Sequence, residues 1–447
     1  MKLYQKITLF SLVALTFTAC DKNDGPDVKD NFLNFDIPKV PVTSDYPVGV
    51  YYFNPGTTGQ DPVRYGRLSE PSDYLANKAG PYVDLQLGNY AINQDTAQIT
   101  DEMIDVVQQH VDWCINGGVD FFIMPALRAQ RDSVAPNCIN QDYRFYDLVL
   151  GKNPSNVNIG GSGKRVNMKS LKFVMTINME DPICQTQLPT YNADGTSAGA
   201  NTATLSNTVL LEDNNSIVIV SKDAVGNVVK TYTRTEMFAE FFKSLTRYFK
   251  DERYFRIDGK PLVVLQSAQR LYAADSNTIY AMLRQAVRDY AGEEMFMVAQ
   301  QDAWSPPARY EAFFKNNVDA VTHRNMYNQG DFSRATMLHQ FIFLNWEYSR
   351  EWFRNNWNAT DYIPTGGVAY NKYVDNGQFD APVVNFDGDN FREMCNLMKS
   401  QSGNCRVMFF DSFNQIQYSS FLEPTKEDYG NGFGTRFLNI IREEFKR

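Results

Sequence analysis

The chain has 447 residues, with 43 Lys and Arg against 52 Asp and Glu, for a formal net charge of −9. An acidic balance with no basic block excludes nucleic acid as a main partner. Five cysteines follow Cys20, namely Cys114, Cys138, Cys184, Cys395 and Cys405; they include no C-x-x-C and no zinc-type spacing, and Cys395 and Cys405 are near enough in sequence to pair.

Met1 to Cys20 reads as a targeting segment. Lys2 and Lys6 open it, and Ile7 to Ala19 is mostly apolar but too short to span a bilayer. Phe17-Thr-Ala-Cys20 resembles a bacterial lipoprotein cleavage box, in which Cys20 becomes the lipidated first residue and ties the protein to a membrane. Residues 21–45 carry Gly25, Pro26, Pro38 and Pro41 and read as a tether. Asp21-Lys-Asn-Asp24 resembles the signals that send lipoproteins of Bacteroidetes-type bacteria outward. The expectation is an outer membrane lipoprotein, periplasmic or cell-surface facing.

Residues 46–447 are enough for one elaborated (β/α)8 domain, which typically takes ~250 residues and over ~400 with insertions. Eight strands are predicted: Val48–Phe53, Val119–Met124, Lys172–Ile177, Pro261–Leu265, Met295–Ala299, Val318–Thr322, Tyr362–Val368 and Arg406–Phe410. Helical periodicity falls between them. Thr100–Asn116 is the clearest case, with Thr100 as cap, Met103, Ile104, Val107, Val111 and Cys114 at helical spacing, and Gly117-Gly118 as stop. Glu236–Lys250, Ser276–Ala291, Pro307–Lys315, Ala335–Asn355 and Asn390–Lys399 follow. Alternation of this kind predicts a parallel α/β architecture, and eight strands favour a closed TIM-type barrel. The seventh strand is weakened by Pro364 and Gly366-Gly367. About 185–234 breaks the rhythm as an insertion after the third strand, with a β-hairpin of Ile217–Ser221 and Val228–Thr233. No repeat and no cofactor-binding motif is present; Gly160-Gly161-Ser162-Gly163 before Lys164-Arg165 is a lone glycine turn, able to hold an anion or simply to bend.

The last strand runs from apolar Arg406–Phe410 into polar Asp411-Ser-Phe-Asn-Gln415. Ser412-Phe413-Asn414, with Glu423-Pro424 beyond it, resembles the corresponding segment of glycoside hydrolase family 99 and its relatives. Upstream, YFRIDGKPLVV at Tyr254–Val264, Gly117–Phe122 and Val48–Phe53 resemble other barrel segments of that family. The resemblance implies a TIM-type barrel acting on an oligosaccharide or polysaccharide without a cofactor. It also exposes a departure. The family's two acid–base glutamates fall on Gln415 and Tyr418, and its Trp and His on Ile416 and Gln417. Glutamine has no useful pKa, and an unperturbed tyrosine titrates at about 10, so the family's mechanism does not carry over with its fold.

Residues just after barrel strands face one cleft. Substrate-binding candidates are therefore Asn178, Trp304, His323 and Tyr327, with Asn414, Gln415, Gln417, Tyr418 and Glu423 from the last strand. Amides suit sugar hydroxyls, and aromatic faces suit pyranose rings; at 14% the chain is rich in aromatics, which a large core would also use. Glu180, Asp302 and Asp411 are the catalytic candidates, since hydrolysis needs one group to protonate the leaving oxygen and one to activate the incoming oxygen. Each carboxylate also has a plain role as a cap or loop brace, and His323 serves equally as proton shuttle or scaffold. With only His110, His323 and His339 in the chain, no metal site is expected. Two functions compete: a glycoside hydrolase-like enzyme, and a glycan-binding lipoprotein that has lost its paired glutamates.

Overall fold

The structure is a computed structural model that describes residues 32–53, 83–88, 90, 98–127, 146, 148–151, 158–159, 163–178, 189–191, 197–200, 209–210, 219–222, 228–232, 239, 242, 245–246, 248–268, 271–272, 276–328, 337–358, 360–371 and 383–447. The chain forms two compact units, Met1–Ile37 and Pro38–Arg447. In the first, the Phe35 amide donates to the Leu33 carbonyl at 2.9 Å.

The second unit is built on a ring of parallel strands. In chain order they are Val48–Tyr51, Phe121–Leu127, Lys172–Asn178, Lys260–Gln266, Phe296–Gln301, Ala320–His323, a seventh in two pieces (Asp361–Ile363 and Thr365–Gly366), and Met408–Phe410. Each pairs with its neighbours in sequence, and the first pairs with the last through Val48↔Met408 and Val50↔Phe410. The seventh strand closes the ring: Asp361–Ile363 pairs with the sixth strand and Thr365–Gly366 with the eighth. Pro364, which has no amide hydrogen to give a ladder, sits at the change of partner and accepts from the Phe409 amide at 3.1 Å. The fold is a TIM-type (β/α)8 barrel.

Side chains two apart on a strand share a face, and that period fills the barrel. Phe121 and Ile123, Leu262 and Val264, Phe296 and Val298, with Ile363 and Phe409, form its buried interior. Burial of such side chains stabilises by about 1.5–3 kcal/mol each. Phe255 stacks on Phe121 with centroids 4.1 Å apart. Gly49 makes room for that stack, because a Cβ there would lie 2.1 Å from the Phe121 ring.

The helices cover the outside. Asp101–Asn116 begins where the Thr100 hydroxyl accepts from the Met103 amide and ends at Gly117, as the sequence predicts. Ser276–Ala291 has the expected bounds. Leu338–Asn356 and Gly388–Gln401 follow, and the Pro307 segment is a 3-10 turn leading into a four-residue helix. A helix absent from the sequence reading, Arg436–Phe445, buries Phe437, Leu438, Ile440, Ile441 and Phe445. It packs on Gly388–Gln401 and Asp101–Asn116. Residues 38–45, expected within a tether, lie against the body: Asn396 accepts from the Val40 amide at 3.1 Å, and Lys399 donates to the Val40 carbonyl at 2.8 Å. The Lys399 ammonium, itself buried, needs that carbonyl and Glu444 at 2.8 Å. Within the insertion, Ile219–Lys222 and Val228–Tyr232 pair as the expected antiparallel hairpin. Cys114, Cys395 and Cys405 are free thiols, so Cys395 and Cys405 do not pair.

Candidate functional site

The inward series that fill the core continue beyond it. Two residues past Val264 is Gln266, two past Val298 is Gln300, and two past Phe409 is Asp411. These line a cavity of about 460 Å³ at the C-terminal end of the ring, together with Phe53, Arg324 and Thr365 from the same register. Its wall is completed by Tyr370, Gln415, Tyr418 and Ser420. The core and the site are thus one alternation read to different depths. Tyr51 belongs to both: its ring packs in the interior, edge-on to Phe409 at 6.1 Å, while its hydroxyl accepts from Gln300 at 3.0 Å.

Asp411 is the carboxylate among the described lining residues. Withdrawal from water pushes it up to about 6; Arg324 and a hydrogen bond from Asn325 oppose the rise. Asn325 also donates to Ser420 at 3.1 Å. Gly367 backs it, since a Cβ there would meet the amide nitrogen at 2.4 Å. Burial, and then the charge of Asp411, raise the Tyr51 phenol far above its ordinary range, so it stays protonated.

The loop after the eighth strand is braced from within. The Ser412 hydroxyl donates to the Ser420 carbonyl at 2.9 Å and accepts from the Gln415 amide at 2.8 Å. Ser420 donates back to the Asp411 carbonyl. Asn414 clamps the first strand, accepting from the Phe53 amide and donating to the Phe53 carbonyl, both at 2.8 Å. The bracing presents Gln415 and Tyr418 to the cavity. Tyr418 lies parallel to Tyr370, with centroids 6.1 Å apart and planes within 8°, and Tyr370 donates to Asn328 at 2.6 Å.

The predicted site residues divide. Asp411, Gln415 and Tyr418 line the cavity. Asn414 is spent on backbone. His323 is buried behind the sheet between Gln301 at 2.5 Å and Tyr362 at 2.6 Å; burial lowers it to about 3, so it stays neutral. Tyr327 is buried against His339 at 2.7 Å, and Trp304 donates to the Met326 carbonyl at 3.0 Å. Asp302 stands 3.8 Å from Arg324 and outside the lining. Glu423 is buried, accepting from Tyr90 at 2.8 Å. Asn178 pairs in register with Gln266, and Gln417 lies in the turn Ile416–Tyr418; the side chains of both, like Glu180 and Cys20, lie outside the described residues. Tyr51 and Gln266 line the cavity without having been expected there, whereas the sequence expectation that residues just after a strand face the cleft takes in Gln300, Gln301, His323 and Arg324 alike, of which Gln300 and Arg324 line it. Counting in twos from Phe296 and Ala320 selects Gln300 and Arg324. Among the described residues no group of three or more His, Cys, Asp or Glu is placed to hold a metal ion.

A family model described as glycosyltransferase WbsX matches residues 227–441. No curated protein matches the chain. Among solved structures, one described as a glycoside hydrolase-like protein has a TM-score of 0.65 at 22% identity, over 94% of this chain and 99% of that one. The GH99 endo-alpha-mannosidase from Bacteroides thetaiotaomicron has a TM-score of 0.52 at 12% identity, over 91% of this chain and 100% of its own. The barrel of this chain is similar in fold to both.

Proposed function

We propose that the protein is glycan-active, seating a unit of an oligosaccharide or polysaccharide in the cavity and cleaving its glycosidic bond with Asp411 as acid–base group. The observation that carries this reading is a carboxyl, raised to about 6 by withdrawal from water, that shares with Arg324 a cavity otherwise lined by amides, hydroxyls and aromatic rings. The volume is in the range of small-molecule sites, roughly 300–1,000 Å³, and Tyr418 with Tyr370 offers aromatic surface for a sugar face. Proteins named for glycosyltransfer and for glycoside hydrolysis, to which the chain is similar, have a sugar in common. In the reaction, protonated Asp411 gives its proton to the glycosidic oxygen as that oxygen leaves the anomeric carbon. Water bonds to the carbon and yields a proton to a second carboxylate, for which Glu180 and Asp302 are the candidates.

One observation favours a second reading, a non-catalytic glycan receptor. Gln415 faces the cavity where the related family has a glutamate, and Asp411 has no second carboxylate beside it among the described lining residues. A panel of oligosaccharides, followed by chromatography for products and by affinity electrophoresis for binding, separates the two. Products support the hydrolase; retardation without products supports the receptor, and there Tyr418→Ala should weaken binding by about 0.5–1.5 kcal/mol. A protein that neither retards nor cleaves any member is not glycan-active.

Export and anchoring belong to the same proposal. The apolar run Ile7 to Ala19 followed by Cys20 supports a lipidated N-terminus at an outer membrane, cell-surface or periplasm facing, in keeping with polysaccharide utilisation. Cys20→Ser should move the protein from the membrane fraction to the soluble fraction, because an acyl chain contributes ~0.8 kcal/mol per buried CH₂. Unchanged fractionation would remove the lipid anchor.

A further inference from the structure

Arg324 is the cation among the described residues that line the cavity, and most of its donors are uncommitted. Its backbone amide donates to the Gln301 carbonyl at 2.9 Å, which fixes the residue at the top of the sixth strand. A guanidinium carries five donors. Here one nitrogen, Nη2, donates to the Ser267 hydroxyl at 2.6 Å. The carboxylate paired with it, Asp302, is 3.8 Å from Nε, beyond hydrogen-bond length. Asp411 is close enough to feel its charge but forms no ion pair with it. The remaining polar lining consists of amides and hydroxyls, which already suffice for neutral sugar hydroxyls. A planar guanidinium adds a fork that matches a carboxylate, sulfate or phosphate through two parallel hydrogen bonds.

We infer that Arg324 receives an anionic substituent, so that the glycan taken by this cavity is acidic: a uronic acid, or a sulfated or phosphorylated sugar. The inference rests on the glycan reading above and narrows it to a charge class. Ser267 orients the guanidinium and leaves the other donors for the ligand. Among the described residues, the charged and titratable groups around Arg324 are Asp302, Asp411 and the phenols of Tyr51, Tyr370 and Tyr418. Of these, Asp411 competes with a bound anion while ionised. Protonating it as pH falls from 7 to 5 removes that repulsion, whereas sulfates and uronates remain charged. Binding should therefore tighten on acidification.

The test is a glycan array carrying neutral, uronate, sulfated and phosphorylated glycans, probed with the wild type, Arg324→Gln and Arg324→Lys. Signals should fall on acidic glycans, and the three anionic sets separate carboxylate, sulfate and phosphate as the group received. Arg324→Gln should lower them roughly tenfold or more, and Arg324→Lys should retain part, because it keeps the charge and loses the fork. Equal signals on neutral glycans, or acidic binding indifferent to Arg324→Gln, would overturn the inference and leave the glycan reading standing. A wild type that binds no glycan removes both. The wild-type preference decides the matter even if a variant fails to fold.

Discussion

Asp411→Asn should lose turnover and gain stability at the same time. As a proton donor and acceptor, a positioned carboxyl contributes typically ~10²–10⁴-fold in rate, and an amide supplies none of it. The stability effect has the opposite sign. Asp411 titrates at about 6 in the folded chain and near ~3.9 when unfolded. Between those values the folded state holds the extra proton, so stability falls as pH rises and the loss is complete above about 6. The amide bears no charge to desolvate. At pH 7 the variant should therefore be more stable by about 1–3 kcal/mol, a gain that shrinks to nothing near pH 4. Urea denaturation at pH 4 and pH 7 measures it. In the wild type, turnover should decline above pH 6 as the acid form is lost. Wild-type rates in Asp411→Asn would take this carboxyl out of the chemistry. A variant less stable at pH 7 would show that its bond with Asn325 outweighs the cost of burial.

Much of the barrel was legible because strand length and apolar runs mark parallel strands buried on both faces. The seventh strand was the doubtful one for a reason that proved informative. Pro364 interrupts a ladder, and the protein puts the interruption where the strand leaves the sixth and joins the eighth. The Arg436–Phe445 helix was not anticipated, although Thr435 before it and its Phe, Leu and Ile at helical spacing were the available signal. The site was legible only in part. Listing every polar residue beyond a strand mixes the two faces, because a one-residue step reverses the side chain. Gln301 and His323 thus look like Gln300 and Arg324 in sequence, yet they hold each other in the shell outside the ring. Asn414 could not be separated from Gln415 at all without the fold, since its bonds reach back 361 residues to Phe53.

Glu423→Ala should be among the most destabilising single changes in the domain. The sequence offers Glu423 as a sugar-binding group; the fold puts it at the centre of a dry network outside the cavity lining. Both Glu423 and His110 side chains are fully buried, with Oε1 and Nε2 3.3 Å apart. Oε2 accepts from the Tyr90 hydroxyl at 2.8 Å, and the other ring nitrogen of His110 lies 2.8 Å from the Tyr52 hydroxyl. Burial, and then Glu423, push both phenols well above their usual range, so they remain protonated. Aromatic rings seal the network: Tyr52 stacks on Phe122 at 4.2 Å, and His110 meets Phe413 edge-on at 5.0 Å. Four parts of the chain meet there, namely the end of the first strand, Tyr90, the Asp101–Asn116 helix and the loop after the eighth strand. Removing Glu423 leaves a phenol and an imidazole nitrogen without their partner, together with a cavity. Breaking a buried pair from one side costs about 3–5 kcal/mol. Glu423→Gln keeps an acceptor for Tyr90 and should cost less. The pair Lys164–Asp105, exposed on both sides, is the control: Lys164→Ala should leave the urea midpoint almost unchanged. Urea midpoints for the three variants give the order. Glycan binding by Glu423→Gln should match the wild type, since the residue does not face the cavity. A stable Glu423→Ala protein, or a folded Glu423→Gln protein that no longer binds glycan, would return this residue to the site.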